Sequence, residues 1–380
     1  MEFKDKVVYI ISREDWGEML MSKQHYAIEL AKAGNIVYFI NHPDLRRQLR
    51  RGQIEITATK YENLFAVKHR MMHPYFFKFK YKKLYYFLTS FHISRIIKKT
   101  GRKPDVVWLF DIGNSLPLKY FPAGARKIYM PVDGPFKTES EKDATEGAEL
   151  IISVTNEILE QYRDLSLPKY SINHGVAGIF INNNIPTEQN RPLHIGYSGS
   201  LVRSDLDIPV FLEIINRHPD KIFEFWGEKN YRKSNIHLPQ DVSDNTKVFL
   251  ETLHKLPNVI MHGPVPPEEL AAGLKRMDAL LICYNIKNDQ NHHKVLEYLG
   301  SGMVIISSYM SSYCNSPELI EMVKAKDNND ELPGIFDIVI NNLYEYNTVE
   351  KQQQRVAFAK QYTYQSQLKK IEQFLSATGR

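Results

Sequence analysis

The chain has 380 residues, of which 43% are apolar, 12% aromatic and 24% charged. That is enough for two cores of roughly 180 residues each and unlike a disordered or fibrous composition. Two cysteines, Cys283 and Cys314, are too few for a disulfide framework or a zinc site, and no run nears the ~18 apolar residues of a membrane span.

The opening "MEFKDKVVYIISRED" has charges on both sides of a short apolar run, unlike a signal peptide. A cytoplasmic protein is the expectation. "VVYIIS" (7–12) reads as a strand, "SKQHYAIELAKAG" (22–34) as a helix closed by a glycine, and "NIVYFIN" (35–41) as a second strand, a β-α-β opening that implies a parallel sheet. The net charge of +5 is modest, yet Lys68 to Lys103 contains eleven Lys or Arg and no acidic residue. Aromatics interleave with the lysines there, a mixture suited to nucleic acid or an anionic membrane surface. No nucleic-acid recognition motif accompanies it. Further strands are expected at 105–110, 127–131, 150–154 and 169–173, and "NNNIPTEQNRP" (182–192) reads as a linker.

The pattern then restarts. Strands are expected at 193–199, 222–228, 258–263, 279–284 and 303–308, alternating with helices at 207–219, 266–277 and 289–302, before one long terminal helix over 349–375. The fold class is α/β: two Rossmann-like, doubly wound domains facing across a cleft. Ligands bind such sheets at strand ends and helix starts. The expected division is 1–185, then 193–348, with 349–380 packing back toward the first domain.

Glycines mark the strand ends of the second domain: Gly199, followed by Ser200 and Arg203, then Gly227 and Gly263. A glycine admits close backbone approach, and an arginine can grip a phosphate with two hydrogen bonds. In "DQNHHKVLEYLGSGMVIISS" (289–308) a helix starting near Asn291 would offer free N–H groups and a positive dipole end to an anion. Lys294 would add a point charge for a diphosphate. Glu297, at i+3 on the same face, can accept hydrogen bonds from a ribose diol. "SDLDIP" (204–209) contains an Asp-x-Asp pattern, but Asp207 before Ile208-Pro209 reads as a helix cap, and no essential metal is expected.

The order "IGYSGSL", "FEFWGE", "NVIMHGPVPPEEL", "ALLICY" and "HKVLEYLGSGMVIISS" resembles the donor-nucleotide domain of GT-B glycosyltransferases, family 4-like enzymes of bacterial surface polysaccharide synthesis in particular. Lys294, Glu297, Tyr298, Gly302 and Ile305 answer to that family's late signature. The resemblance implies that Glu297 binds ribose and Lys294 the diphosphate, and that sugar transfer is retaining. His293 stands where the family has proline, and Asp289 where it has the first of two glutamates. The implied donor-binding set is Gly199, Ser200, Arg203, Gly227, Gly263, Asn291, His293, Lys294 and Glu297, with no cofactor beyond the UDP- or GDP-sugar substrate.

Acceptor chemistry is expected from the first domain, at Trp16, Gly17, His25 and Asp111, with Asp133 as the catalytic carboxylate beside Lys294 and Arg203. An inverting enzyme needs such a base; a retaining one can use the departing phosphate. The basic-aromatic segment 68–103 would hold the protein on the inner face of the plasma membrane, near a glycan or polyprenyl-diphosphate-linked acceptor. A nucleotide-sugar 2-epimerase of the same fold and a catalytically silent sugar-nucleotide-binding subunit are the alternatives.

Overall fold

The computed structural model describes residues 3–17, 20–132, 143–183, 191–227, 243–285 and 293–378. Two compact units are present: residues 1–173 with 364–380, and residues 174–363.

The first unit is built on an eight-stranded sheet. Its strands are β1 (Val7–Ile11), β2 (Ile36–Ile40), β3 (Ile54–Ala58), β4 (Leu64–His69), β5 (Val106–Leu109), β6 (Arg126–Tyr129), β7 (Leu150–Ser153) and β8 (Lys169–Ser171). The order across the sheet is β3-β4-β2-β1-β5-β6-β7-β8, parallel throughout except for β3 against β4. The alternation of β-branched runs with helices predicts the parallel strands. The antiparallel β3–β4 pair escapes it, because half-exposed "IEITA" lacks the continuous apolar character of a buried parallel strand. Helices α1 (Ser22–Lys32), α2 (Phe77–Lys80), α3 (Lys82–Thr100) and α4 (Asn156–Glu160) belong to this part of the chain. Trp108, Tyr9, Tyr26 and Phe39 are fully buried around the central strands.

The second unit holds six parallel strands: β9 (His194–Ser198), β10 (Ile222–Trp226), β11 (Val259–Gly263), β12 (Ala279–Ile282), β13 (Val304–Ser307) and β14 (Glu321–Met322). Their order is β11-β10-β9-β12-β13-β14, the 3-2-1-4-5-6 winding of a dinucleotide-binding sheet, with its switch point between β9 and β12. Helices α5 (Ile208–Arg217), α6 (Asp244–Lys255), α7 (Pro267–Leu274), α8 (Lys294–Ser301), α9 (Leu332–Asn341), α10 (Leu343–Tyr346) and α11 (Val349–Lys360) belong to it.

Two boundaries differ from the sequence reading. The expected helix over 349–375 is two helices, α11 and α12 (Tyr364–Ala377), because the chain turns between them: the Tyr362 carbonyl accepts the Val176 amide at 2.9 Å. Only α12 packs with the first unit, where Tyr170 stacks on Phe374 at 4.1 Å. The segment read as a linker, 182–192, begins inside the second unit, which starts at residue 174: the Asn182 amide donates to the Gly300 carbonyl at 2.7 Å and its side chain to Ser301 at 3.1 Å. Residues 184–190 of that linker lie outside the described residues.

Arg355 of α11 ties the second unit together. It is buried and donates to the carbonyls of Gly302 at 3.0 Å and Tyr346 at 2.7 Å. Replacing it with alanine orphans these acceptors, and each buried acceptor left unpaired costs ~1–3 kcal/mol. Arg355→Ala should therefore lower stability by about 3 kcal/mol in denaturant unfolding. A loss within about 0.5 kcal/mol would show that water replaces the guanidinium freely.

Candidate functional site

The site of the second unit forms at the carboxyl ends of β9 and β12, where the winding reverses. Lys294, in the first turn of α8, is 5% exposed. Its ammonium donates to the Ser198 carbonyl at the end of β9 and to the Tyr284 hydroxyl just past β12. It also lies 4.4 Å from the Tyr197 ring centroid and 5.0 Å from that of Tyr284, close enough for cation–π attraction. Burial pushes its pKa down, while Tyr284 opposes that shift. Tyr298, one turn on, accepts the Ser198 amide at 2.6 Å. One strand end is thus gripped from both sides of its peptide by α8.

This packing dictates the glycines. A Cβ on Gly199 would meet the Lys294 ammonium, and one on Gly227 would run into the Gly199 carbonyl, each closer than real Cβ contacts allow. The amide of Gly199 donates to Trp226 and that of Gly227 to Gly263, at 2.8 and 2.9 Å. The three glycines therefore sit side by side across the ends of β9, β10 and β11, all at positive φ. They leave a surface floored by backbone.

Glu297 shares the Lys294 face of α8, as the i, i+3 spacing requires. Burial pushes its carboxyl up to about 7, with Lys294 pulling the other way. Its ionisation therefore changes near neutral pH. Arg203 is placed beside the same tyrosine, 5.1 Å from the Tyr284 ring centroid. It is already held in two-point contact by Asp205, with Nε–Oδ1 at 2.7 Å. A phosphate at Arg203 would have to displace or share that carboxylate. The second carboxylate of "SDLD", Asp207, caps α5 through the Val210 amide and accepts Asn329 at 2.8 Å. Both aspartates of that pattern thus have structural partners.

Helix α8 begins at Lys294, with exposed His293 as its cap residue and no side-chain capping bond; the expected start at Asn291 lies outside the described residues, as do Asp289 and Asp133. Ser200 follows Gly199 and accepts the Val202 amide at 3.4 Å. Sequence reasoning missed Tyr197 and Tyr284. Their signal is that each stands at the end of an apolar strand run, "HIGYS" and "ALLICY", on the two strands that flank the switch point.

In the first unit the corresponding switch point lies between β1 and β5. Asp111 follows β5 and accepts the amides of Gly113 and Ser115, both at 2.8 Å. Burial raises its pKa, but His42, the Ser115 hydrogen bonds and Lys78 outweigh that and hold it below the usual carboxylate range. It closes a turn and is a weak base. Trp16 packs edge-on against Phe39 at 5.2 Å and Tyr61 at 6.2 Å, with its amide on Asn41; half-buried Gly17 follows it. His25 stacks on Tyr364 at 4.9 Å, and burial with the Lys32 charge pushes its pKa down to about 4. It is a neutral packing residue at pH 7. Unforeseen in sequence is the buried ion pair of Glu14 and Lys23, which ties the loop after β1 to α1.

The basic segment divides. Lys78 turns inward and donates to the Gly113 carbonyl beneath Asp111, and Lys82 pairs with Asp143 at 2.7 Å. Lys78 is therefore buried, while Lys82 stays partly exposed within its ion pair. Phe79, Phe87 and Phe91 are 78%, 58% and 52% exposed, with Lys80, Lys83, Arg95 and Lys98 exposed around them. No helix among the described residues is long and apolar enough to cross a membrane.

No family model matches the chain, and a search of curated proteins returns no match. Solved structures do match. Sucrose-phosphate synthase from Thermosynechococcus elongatus superposes with a TM-score of 0.67 at 12% identity, covering 98% of this chain and 100% of that one. Anabaena HepE in complex with UDP and glucose gives 0.67 at 10%, covering 98% and 99%. The lipopolysaccharide outer core galactosyltransferase WaaB gives 0.56 at 16%, covering 97% and 99%. The chain has the GT-B fold these proteins share.

Glu297 yields a stability prediction. Its folded pKa of about 7 lies above the unfolded value near ~4.3. The folded state therefore holds this proton more tightly, and the stability so gained is complete below the unfolded pKa and lost as pH rises through the folded one. Glu297→Gln should melt higher than the parent at pH 8.5 and alongside it at pH 4. An equal difference at both pH values would show that the carboxyl is not desolvated.

Proposed function

We propose that this protein is a glycosyltransferase that moves a sugar from a UDP- or GDP-sugar to a carbohydrate or lipid-linked glycan acceptor in surface polysaccharide assembly. The observation that carries the reading is the Lys294–Ser198–Tyr284 cluster beneath Gly199, with Glu297 one turn away. It occupies the nucleotide-binding edge of a sheet with dinucleotide-binding winding, in a fold shared with HepE, solved in complex with UDP-glucose.

In this reading the diphosphate lies over the glycine edge. Lys294 supplies the charge that stabilises the leaving group as the glycosidic bond breaks, and the departing phosphate acts as base, giving retention without a metal. Arg203 contributes once Asp205 gives way. Glu297 accepts the ribose hydroxyls. Hydrogen bonds to the ionised carboxylate favour that form, so nucleotide binding draws the Glu297 pKa down and releases a proton. UDP affinity measured by calorimetry should rise between pH 6 and pH 8. Glu297→Gln should bind at least ~10-fold more weakly at pH 8, with less of that pH dependence, because a charged hydrogen bond contributes about 1.5–3 kcal/mol. The phosphate of UDP titrates identically in both proteins, so the comparison isolates Glu297. Unchanged affinity in the variant would move the ribose elsewhere. Slow formation of the 2-epimer from a UDP-N-acetyl sugar without acceptor would favour the epimerase.

The exposed phenylalanines among exposed lysines, which make no ion pair among the described residues, support a membrane-seated acceptor unit, since aromatics anchor at the interface while basic residues attract anionic lipid. The parent should bind phosphatidylglycerol vesicles at low salt and release them as salt rises. Replacing Phe79, Phe87 and Phe91 with serine together with Lys80 and Lys83 with glutamine should abolish that binding and leave UDP affinity intact. No vesicle binding by the parent would rule out the membrane seat and leave a soluble acceptor.

A further inference from the structure

The first unit contains a cavity of about 220 Å³ that none of the preceding chemistry uses. It lies past the carboxyl ends of β2 and β4, the edge where parallel sheets hold ligands. Arg47, Arg51 and Arg70 line it with His73, Tyr75 and Phe76. Asp44 is the one carboxylate among the described lining residues, and it is committed: its Oδ2 accepts the Leu49 amide at 2.7 Å.

The cations differ. Arg70 is anchored to the Leu49 carbonyl at 2.6 Å. Arg47 and Arg51 are exposed and, among the described residues, make no ion pair. His73 is 6% exposed, and its Nδ1 is buried without a hydrogen-bond partner among the described residues. That nitrogen is closed to solvent, so His73 walls the cavity and leaves the arginines as its polar groups.

The loop carrying these arginines is held in place. The Asp44 amide donates to His69 at 2.8 Å, the Gly52 amide to Arg70 at 3.1 Å, and the Arg70 amide to Gln53 at 3.0 Å. Arg95 closes it further on the Gly52 carbonyl at 2.9 Å. Arg47 itself has φ of +63°, a left-handed conformation that is strained for an L-residue. Packing and hydrogen bonds thus fix in advance a loop whose Arg47 and Arg51 make no ion pair among the described residues.

We infer that this cavity binds a phosphate or diphosphate group. Such a site rests on the acceptor reading above and deepens it, because Phe76 joins the cavity to the exposed aromatic surface of α2 and α3. A lipid-linked diphosphate would place its charge among the arginines and its first isoprene units along Phe76 and Phe79. Guanidinium groups match phosphate oxygens in two-point contacts, and the cavity is far larger than the ~30 Å³ share of one water molecule.

The test uses the full chain with UDP at saturating concentration, so that the second unit does not compete for the probe. Inorganic pyrophosphate is titrated against the parent and against Arg47→Gln/Arg51→Gln, two exposed substitutions chosen to leave the fold intact, with unchanged melting and unchanged UDP binding as the check. The parent should bind pyrophosphate, and the double variant should lose at least ~10-fold in affinity. Equal binding by both proteins, or none by the parent, overturns the inference. Farnesyl diphosphate in neutral phosphatidylcholine vesicles separates the sources. Tighter binding than pyrophosphate, weakened by Phe76→Ser/Phe79→Ser, identifies a lipid diphosphate, whereas indifference to those phenylalanines identifies a free phosphate compound. If UDP does not bind at all, the donor reading falls, while loss of pyrophosphate binding in the double arginine variant still upholds the cavity.

Discussion

The second unit depends on one buried cation. Removing an ammonium from water costs several kcal/mol unless hydrogen bonds and charge replace the lost solvent, and Lys294 receives that replacement from the Ser198 carbonyl, the Tyr284 hydroxyl and two aromatic faces. Each of these acceptors sits at a strand end beside the switch point, so the arrangement exists only because β9 and β12 are neighbours. The glycine at 199 follows from it, since no side chain fits over the ammonium. Gly227 follows in turn from the approach of the Gly199 carbonyl. The site is therefore a chain of steric consequences that starts at one charge.

The first unit uses its charges differently. Lys23 with Glu14 and Lys78 with the Asp111 turn are internal, and they stiffen the loops after β1 and β5. The exposed cations that make no ion pair among the described residues lie elsewhere, on the loop between β2 and β3 and around the exposed phenylalanines of α2 and α3. Positive charge that the protein does not neutralise, set on a pinned loop, is the pattern of anion recognition. A uniformly basic stretch of sequence thus separates into structural lysines and surface cations with different roles.

Much of this was legible in the sequence. Apolar runs spaced by helical segments place the parallel strands, and glycines after "IGYS" and "FEFW" mark the edge where a ligand would approach. Lys294 and Glu297 share a helix face by spacing alone. Other features need three dimensions. Tyr197 and Tyr284 are 87 residues apart, and a place at the end of an apolar run hints at a site without showing that the two meet. The Asp205 partner of Arg203 reads as half of a metal motif. Lys78 looks like its exposed neighbours until Gly113, 35 residues on, returns to meet it. The split between α11 and α12 is invisible because "KQYTYQ" carries no glycine or proline; tertiary pairing with Val176 breaks the helix there.

The most direct measurement is amide hydrogen exchange on the full chain with and without a UDP-sugar. Protection should appear at residues 198–203 and 293–301, where the glycine edge and α8 meet the nucleotide, and should disappear in Lys294→Ala. Protection confined to the first unit, or absent from both segments at saturating nucleotide, would contradict a donor site built on Lys294.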